Sequence, residues 1–162
     1  MTASTRQSRF DGIASALGYS FEGEIKVGGN YVSTVRHGSE IYVSGQVPRV
    51  GSTVVVTGRV GEDVPLAEAQ KAAKVCAMRA LAVMAQALGS LDAIAQVLRV
   101  TVYTQSASDF TQQSEVADAA SELLVAVLGP QGVHTRTSVG VYQLPKNAAV
   151  ELDLIAAVAP GA

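Results

Sequence analysis

Residues 135–156 read TRTSVGVYQLPKNAAVELDLIA, and this stretch decides the fold class. Val139 and Val141 alternate with Ser138, Gly140 and Tyr142 until Pro145, Lys146 and Asn147 break the run. Val150, Leu152 and Leu154 then alternate with Glu151 and Asp153. A period of two is the mark of a half-buried strand, and the break between the runs reads as the turn of a final β-hairpin. Arg136 shares a face with Ser138 and Gly140, whose small side chains leave room for a ligand. A guanidinium so placed suits fork-like capture of a small carboxylate; the alternative is a surface arginine paired with an acid. Glu151 likewise reads either as a general base or as a sheet-face carboxylate paired with Arg136 or Arg99.

Upstream, residues 96–103 contain VLRVTVY, a β-branched strand with Leu98, Val100 and Val102 on one face. Between it and the final pair, Val116, Ala120, Leu123, Leu124 and Val127 mark an amphipathic helix stopped by Gly129-Pro130. Before it, residues 65–88 form the clearest helix, with Pro65 in the first turn, Glu68 at the positive end of the dipole and Gly89 as the stop. Its apolar stripe runs Leu66, Ala69, Ala73, Cys76, Ala80, Val83, Ala87, with Lys71, Lys74 and Arg79 read as lying away from it. Cys76 reads as a small buried hydrophobe. Earlier still, Tyr31–Arg36 and Glu40–Val47 flank His37-Gly38-Ser39 and read as a hairpin. In its second strand Ile41, Val43, Gly45 and Val47 are expected on one face and Tyr42, Ser44 and Gln46 on the other. Residues 49–61 hold a short β-run, Thr53–Thr57, read as a hairpin elaboration. Residues 1–9 read as a flexible tail and 10–162 as a single domain, with a short helix from Phe10 to Leu17.

The order strand–helix–strand–helix–strand implies α+β architecture: one mixed sheet with two main helices packed on one face. No segment remains to cover the other face, so association through the sheet is expected. The chain has 162 residues, 48% of them hydrophobic and only 16% charged, a composition that suits a sizeable core and buried sheet surface. A net charge of −2 and the absence of a basic stripe argue against a nucleic-acid partner. No apolar run is long enough for a membrane span, residues 1–9 have no signal-peptide core, and a cytoplasmic location is the expectation. With one cysteine and with His37 and His134 far apart, no metal or disulfide framework is expected. The glycines match no phosphate loop, and no nucleophile elbow is present.

The segment HTRTSVGVYQLPKNAAVELDLIA resembles the C-terminal signature of the RidA (YjgF) family, also known as L-PSP endoribonucleases. Arg136, Leu144-Pro145, Glu151 and Ile155-Ala156 fall in register with it. Tyr31 and Ser44-Gly45-Gln46 match an N-terminal block, Gly-x-Tyr followed by Ser-Gly-Gln-x-Pro. Compact deaminase members carry Pro-Ala before the arginine and cysteine two residues after it. Here His134-Thr135 and Ser138 stand there, the pattern of a longer branch. The resemblance implies a chorismate-mutase-like fold and a homotrimer with sheets facing inward and clefts between subunits. It further implies cofactor-free hydrolysis of 2-imino acids, such as 2-iminopropionate derived from 2-aminoacrylate, to a keto acid and ammonia. In that role Arg136 would hold the carboxylate and Glu151 would activate water, while Tyr31, Ser44 and Ser138 would shape the substrate pocket. The alternative within the same fold is a non-catalytic binder of small carboxylates such as keto acids. Endoribonuclease activity sits poorly with the acidic pI near 5.6.

Overall fold

The last strand of the chain is laid between two earlier ones. In the computed structural model, which describes residues 3–162, β1 (Thr34–His37) and β2 (Glu40–Gln46) form the expected antiparallel hairpin. A two-stranded ribbon, β3 (Arg49–Val50) and β4 (Thr53–Val54), follows and stands apart from the main sheet. Helix α2 (Leu66–Leu88) leads to β5 (Ile94–Gln105), and α3 (Gln113–Leu128) leads to β6 (Thr135–Val141) and β7 (Val150–Val158). The sheet order is β1-β2-β7-β5-β6. β6 runs parallel to β5, while β7 is antiparallel to both β2 and β5. The expected final hairpin is therefore absent: β6 and β7 never pair, because β5 lies between them. Alternation fixes which side of a strand is buried but says nothing about which strand lies beside it.

Helices cover one face. Val150, Leu152, Leu154 and Ala156 of β7 point into a core shared with Ile41, Val43, Val100 and Val102. Most of α2 is buried there, with Ala69, Ala72, Ala73, Cys76 and Ala80 fully enclosed. Small side chains on this stripe bring the helix axis close to the sheet. Cys76 packs as a hydrophobe, its Sγ 3.7 Å from the carbonyl oxygen of Val150.

The amino-terminal segment departs from expectation. Arg6–Leu17 is helical (α1), with the Thr5 side chain capping the amide of Ser8 and Gly18 closing the other end in a left-handed conformation. Arg6 Nη1 donates to the carbonyls of Leu91 and Ile94, both at 2.8 Å, and Arg9 Nε donates to that of Val127 at 2.9 Å. Residues 6–9, read as part of a loose tail, are thus docked by guanidinium–carbonyl bonds that no local apolar pattern announces. Met1 and Thr2 lie outside the described residues.

A bulge in β2 changes the face of its last residues. Val43 pairs with Leu154, but Gln46 pairs with Leu152, so three residue steps along β2 oppose two along β7. Gln46 turns inward and is only 4% exposed, whereas strict alternation had put it outside.

Candidate active site

Glu151 pairs with Tyr103 of β5 and projects from the sheet face opposite the helices, between the buried Val150 and Leu152. Beside it, Gly45 of the bulge leaves the space its side chain fills: a Cβ at Gly45 would lie 3.0 Å from the Glu151 carboxyl carbon. Burial, with the Asp153 carboxylate two residues along the same face, raises the Glu151 carboxyl above its ordinary value. Asp153 is itself held by the Tyr103 hydroxyl at 2.9 Å. Glu151 makes no salt bridge among the described residues; the ion pairs there are Arg59–Glu62 and Arg136–Asp118.

Glu151 opens on a cleft of about 200 Å³ at the bulged end of β2. Tyr31, Ser33, Arg49, Arg79 and Lys146 line it with Glu151, and Ile25, Val27 and Val47 give it apolar walls. Tyr31, 52% exposed, lines the cleft with Glu151. Ser44 is not among the lining residues: its hydroxyl donates to the carbonyl of Val32 at 2.6 Å and so ties the Tyr31 loop to β2.

Arg136 and Ser138 stand elsewhere. Their β5 partners, Val100 and Val102, face the helices, so both lie on the helix side of the outer strand β6. Arg136 Nη1 is 2.8 Å from Asp118 Oδ1 and donates to Ser121 Oγ at 3.0 Å, which fixes it against α3 with its side chain 21% exposed. Within the chain, then, Arg136 and Glu151 are on opposite faces of the sheet and separated by β5. His134 bonds Ser121 and the carbonyl of Gly132, with no acidic neighbour in a ligand set. Among the described residues no three His, Cys, Asp or Glu side chains gather to hold a metal. No helix there is long and apolar enough to cross a membrane.

Arg79 and Arg49 line the cleft although no sequence motif marks them. The apolar stripe predicts Arg79 on the polar side of α2, yet it is 5% exposed. Its position three after Cys76 and four before Val83 puts it on the buried stripe itself, a signal hidden by the assumption that a charge faces water. Arg49 is carried in by the β3–β4 ribbon, the segment read only as an elaboration.

Comparison with known proteins agrees with this architecture. The profile of the family described as Endoribonuclease L-PSP matches residues 21–158. Protein TCP17 of Trypanosoma cruzi is 42% identical over 127 residues, covering 78% of this chain and 79% of that protein. A protein of unknown function from Agrobacterium tumefaciens is 38% identical in its crystal structure, with a TM-score of 0.84 over 94% of both chains. A crystal structure of a candidate endoribonuclease from Shewanella oneidensis is 27% identical, with a TM-score of 0.85 over 94% of this chain and 99% of that one. The mixed sheet, the three helices and the match across residues 21–158 together place the chain in the Endoribonuclease L-PSP family, the RidA (YjgF) family.

Proposed function

We propose that the protein hydrolyses small 2-imino acids to the 2-keto acid and ammonia, with Glu151 as general base. The observation that carries this reading is the state of Glu151: half-buried, raised above its ordinary pKa, unpaired with any cation among the described residues and facing a small cleft. A carboxylate so placed is primed to take a proton. In the reaction, water attacks the imine carbon as Glu151 removes a proton, and the π pair of the C=N bond moves to nitrogen. Glu151 then returns that proton to the nitrogen of the resulting carbinolamine. The hydroxyl loses its own proton as the carbonyl forms, and the C–N bond breaks with its electron pair going to nitrogen, so that ammonia leaves. The iminium carbon is electrophilic already, so positioning and a base suffice.

This reading includes assembly as a homotrimer. The sheet face away from the helices carries the exposed side chains of Val35, Tyr42 and Val139, and no helix among the described residues covers it. Packing these faces together would bring the outer strand of one copy toward the cleft of another; Arg136, on the helix side of that strand, reaches a neighbour's substrate only by leaving Asp118.

The test is keto-acid and ammonia release from imines generated in situ. Glu151→Gln is expected to lose about 100-fold or more, and Arg136→Ala to raise KM with a smaller fall in kcat. Wild-type rates in Glu151→Gln would refute the base assignment. The second reading, a non-catalytic carboxylate binder, is supported by the cationic side chains that line the same cleft, Arg49, Arg79 and Lys146. It predicts saturable keto-acid binding with no turnover.

A further inference from the structure

Arg79 is a buried charge without a counter-ion. Its side chain comes off α2 behind the β2 bulge, with Nε donating to Gln46 Oε1 at 3.2 Å and Nη1 to the carbonyl of Arg49 at 2.6 Å. Both acceptors are neutral, and no carboxylate lies within 4.0 Å of Arg79 among the described residues. Arg49 lies alongside: it donates from Nη2 to the carbonyl of Lys26, while its Nε is buried with no partner. Burial and the neighbouring Arg49 lower Arg79 to about 10, the response expected of two cations enclosed together. Proteins rarely bury a charge unless it is paired, and two guanidiniums facing one cleft compound the cost. The bulge that turns Gln46 inward builds this arrangement, since Gln46 is what holds the Arg79 fork in place.

We propose that Arg79 and Arg49 form a binding site for the carboxylate of a short-chain organic acid, on the same protomer as Glu151 and independent of Arg136. The missing counter-ion is supplied by the ligand. Guanidinium forks match a planar carboxylate, and Ile25, Val27 and Val47 provide apolar contact for a carbon chain, which inorganic anions lack. A cleft of about 200 Å³ suits a molecule of a few carbon atoms rather than a nucleotide. The site does not depend on imine chemistry: it concerns binding, and it stands whether or not the bound acid is turned over.

Titration calorimetry of the full-length protein with pyruvate, 2-oxoglutarate and inorganic phosphate tests the site. Saturable binding of a keto acid, tighter than that of phosphate, is expected. Arg79→Met and Arg49→Gln should each weaken it by about tenfold or more, as loss of a charge-assisted bond does. Lys74→Gln, the same charge change at an exposed position of α2, should leave it within about twofold, because screened surface charges act weakly. Circular dichroism reports whether Arg79→Met folds; Arg49→Gln, at a partly exposed position, carries the test if it does not. Absence of keto-acid binding to the wild type, phosphate binding as tight as keto acid, or wild-type affinity in Arg49→Gln would overturn the proposal. Loss of turnover with binding intact would instead count against the deaminase reading alone.

Discussion

Gly45 and Glu151 occupy one space between them: the glycine has no side chain, and the glutamate fills the room this leaves, its carboxyl carbon 3.0 Å from where a Cβ would stand. The fit requires the bulge in β2, which brings the glycine across from β7. Gly45→Ala is therefore expected to destabilise the fold by about 1–3 kcal/mol, the usual cost of overpacking. The double variant Gly45→Ala, Glu151→Ala should recover most of that loss. Thermal denaturation of the four proteins measures the coupling, and additive losses would show that the two residues do not compete.

The raised carboxyl of Glu151 gives stability a pH dependence. The folded protein holds this proton more tightly than the unfolded chain, whose group titrates near the ordinary value of 4.5. Its contribution is thus fully present below pH 4.5 and is lost as pH rises through the raised value. Glu151→Gln should melt at a higher temperature than wild type at neutral pH, and the gap should close in acid. In turnover, the same group should give a rate that rises with pH across its raised pKa.

Arg6 fastens α1 to the rest of the molecule through the carbonyls of Leu91 and Ile94. Arg6→Ala leaves two acceptors short of a charged donor and should cost about 1–3 kcal/mol, read from a denaturant midpoint. Amide exchange should quicken first in residues 6–17. A variant as stable as wild type would mean that the Arg6 bonds contribute nothing to holding the segment.

Cys76 is fully buried against β7, and burial pushes its thiol up. A disulfide reagent should fail to label the native protein and should label one thiol per chain in denaturant, since the sequence holds a single cysteine. Fast labelling under native conditions would show that α2 opens away from the sheet.

Periodicity made the individual elements legible. The stripe of α2, the alternation in β6 and β7 and the β1–β2 turn can all be read from the chain because each is a local consequence of burying one side. The order of strands could not be read this way, since the partners of Leu154 are Val43 and Val100, both distant in sequence. The bulge was equally hidden: one added residue reverses the faces of Gly45 and Gln46 without leaving any compositional trace. The candidate site was half legible. Tyr31 and Glu151 meet in the cleft, whereas Ser44 braces a loop and Arg136 with Ser138 belongs to the far side of the sheet. Arg79 was missed because burial of a cation runs against the rule by which stripes are recognised.

The position of β7 governs how the molecule can be made. Its two neighbours, β2 and β5, are both synthesised before it, and each lacks a ladder partner on that side until residues 150–158 emerge from the ribosome. The hairpin and helices can form early, but the sheet is completed by threading its middle rather than by adding at a margin. Such long-range closure slows folding and leaves two apolar strand edges waiting in the nascent chain. Until residues 150–158 are in place, the core lacks Val150, Leu152, Leu154 and Ala156, and β2 and β5 have nothing between them.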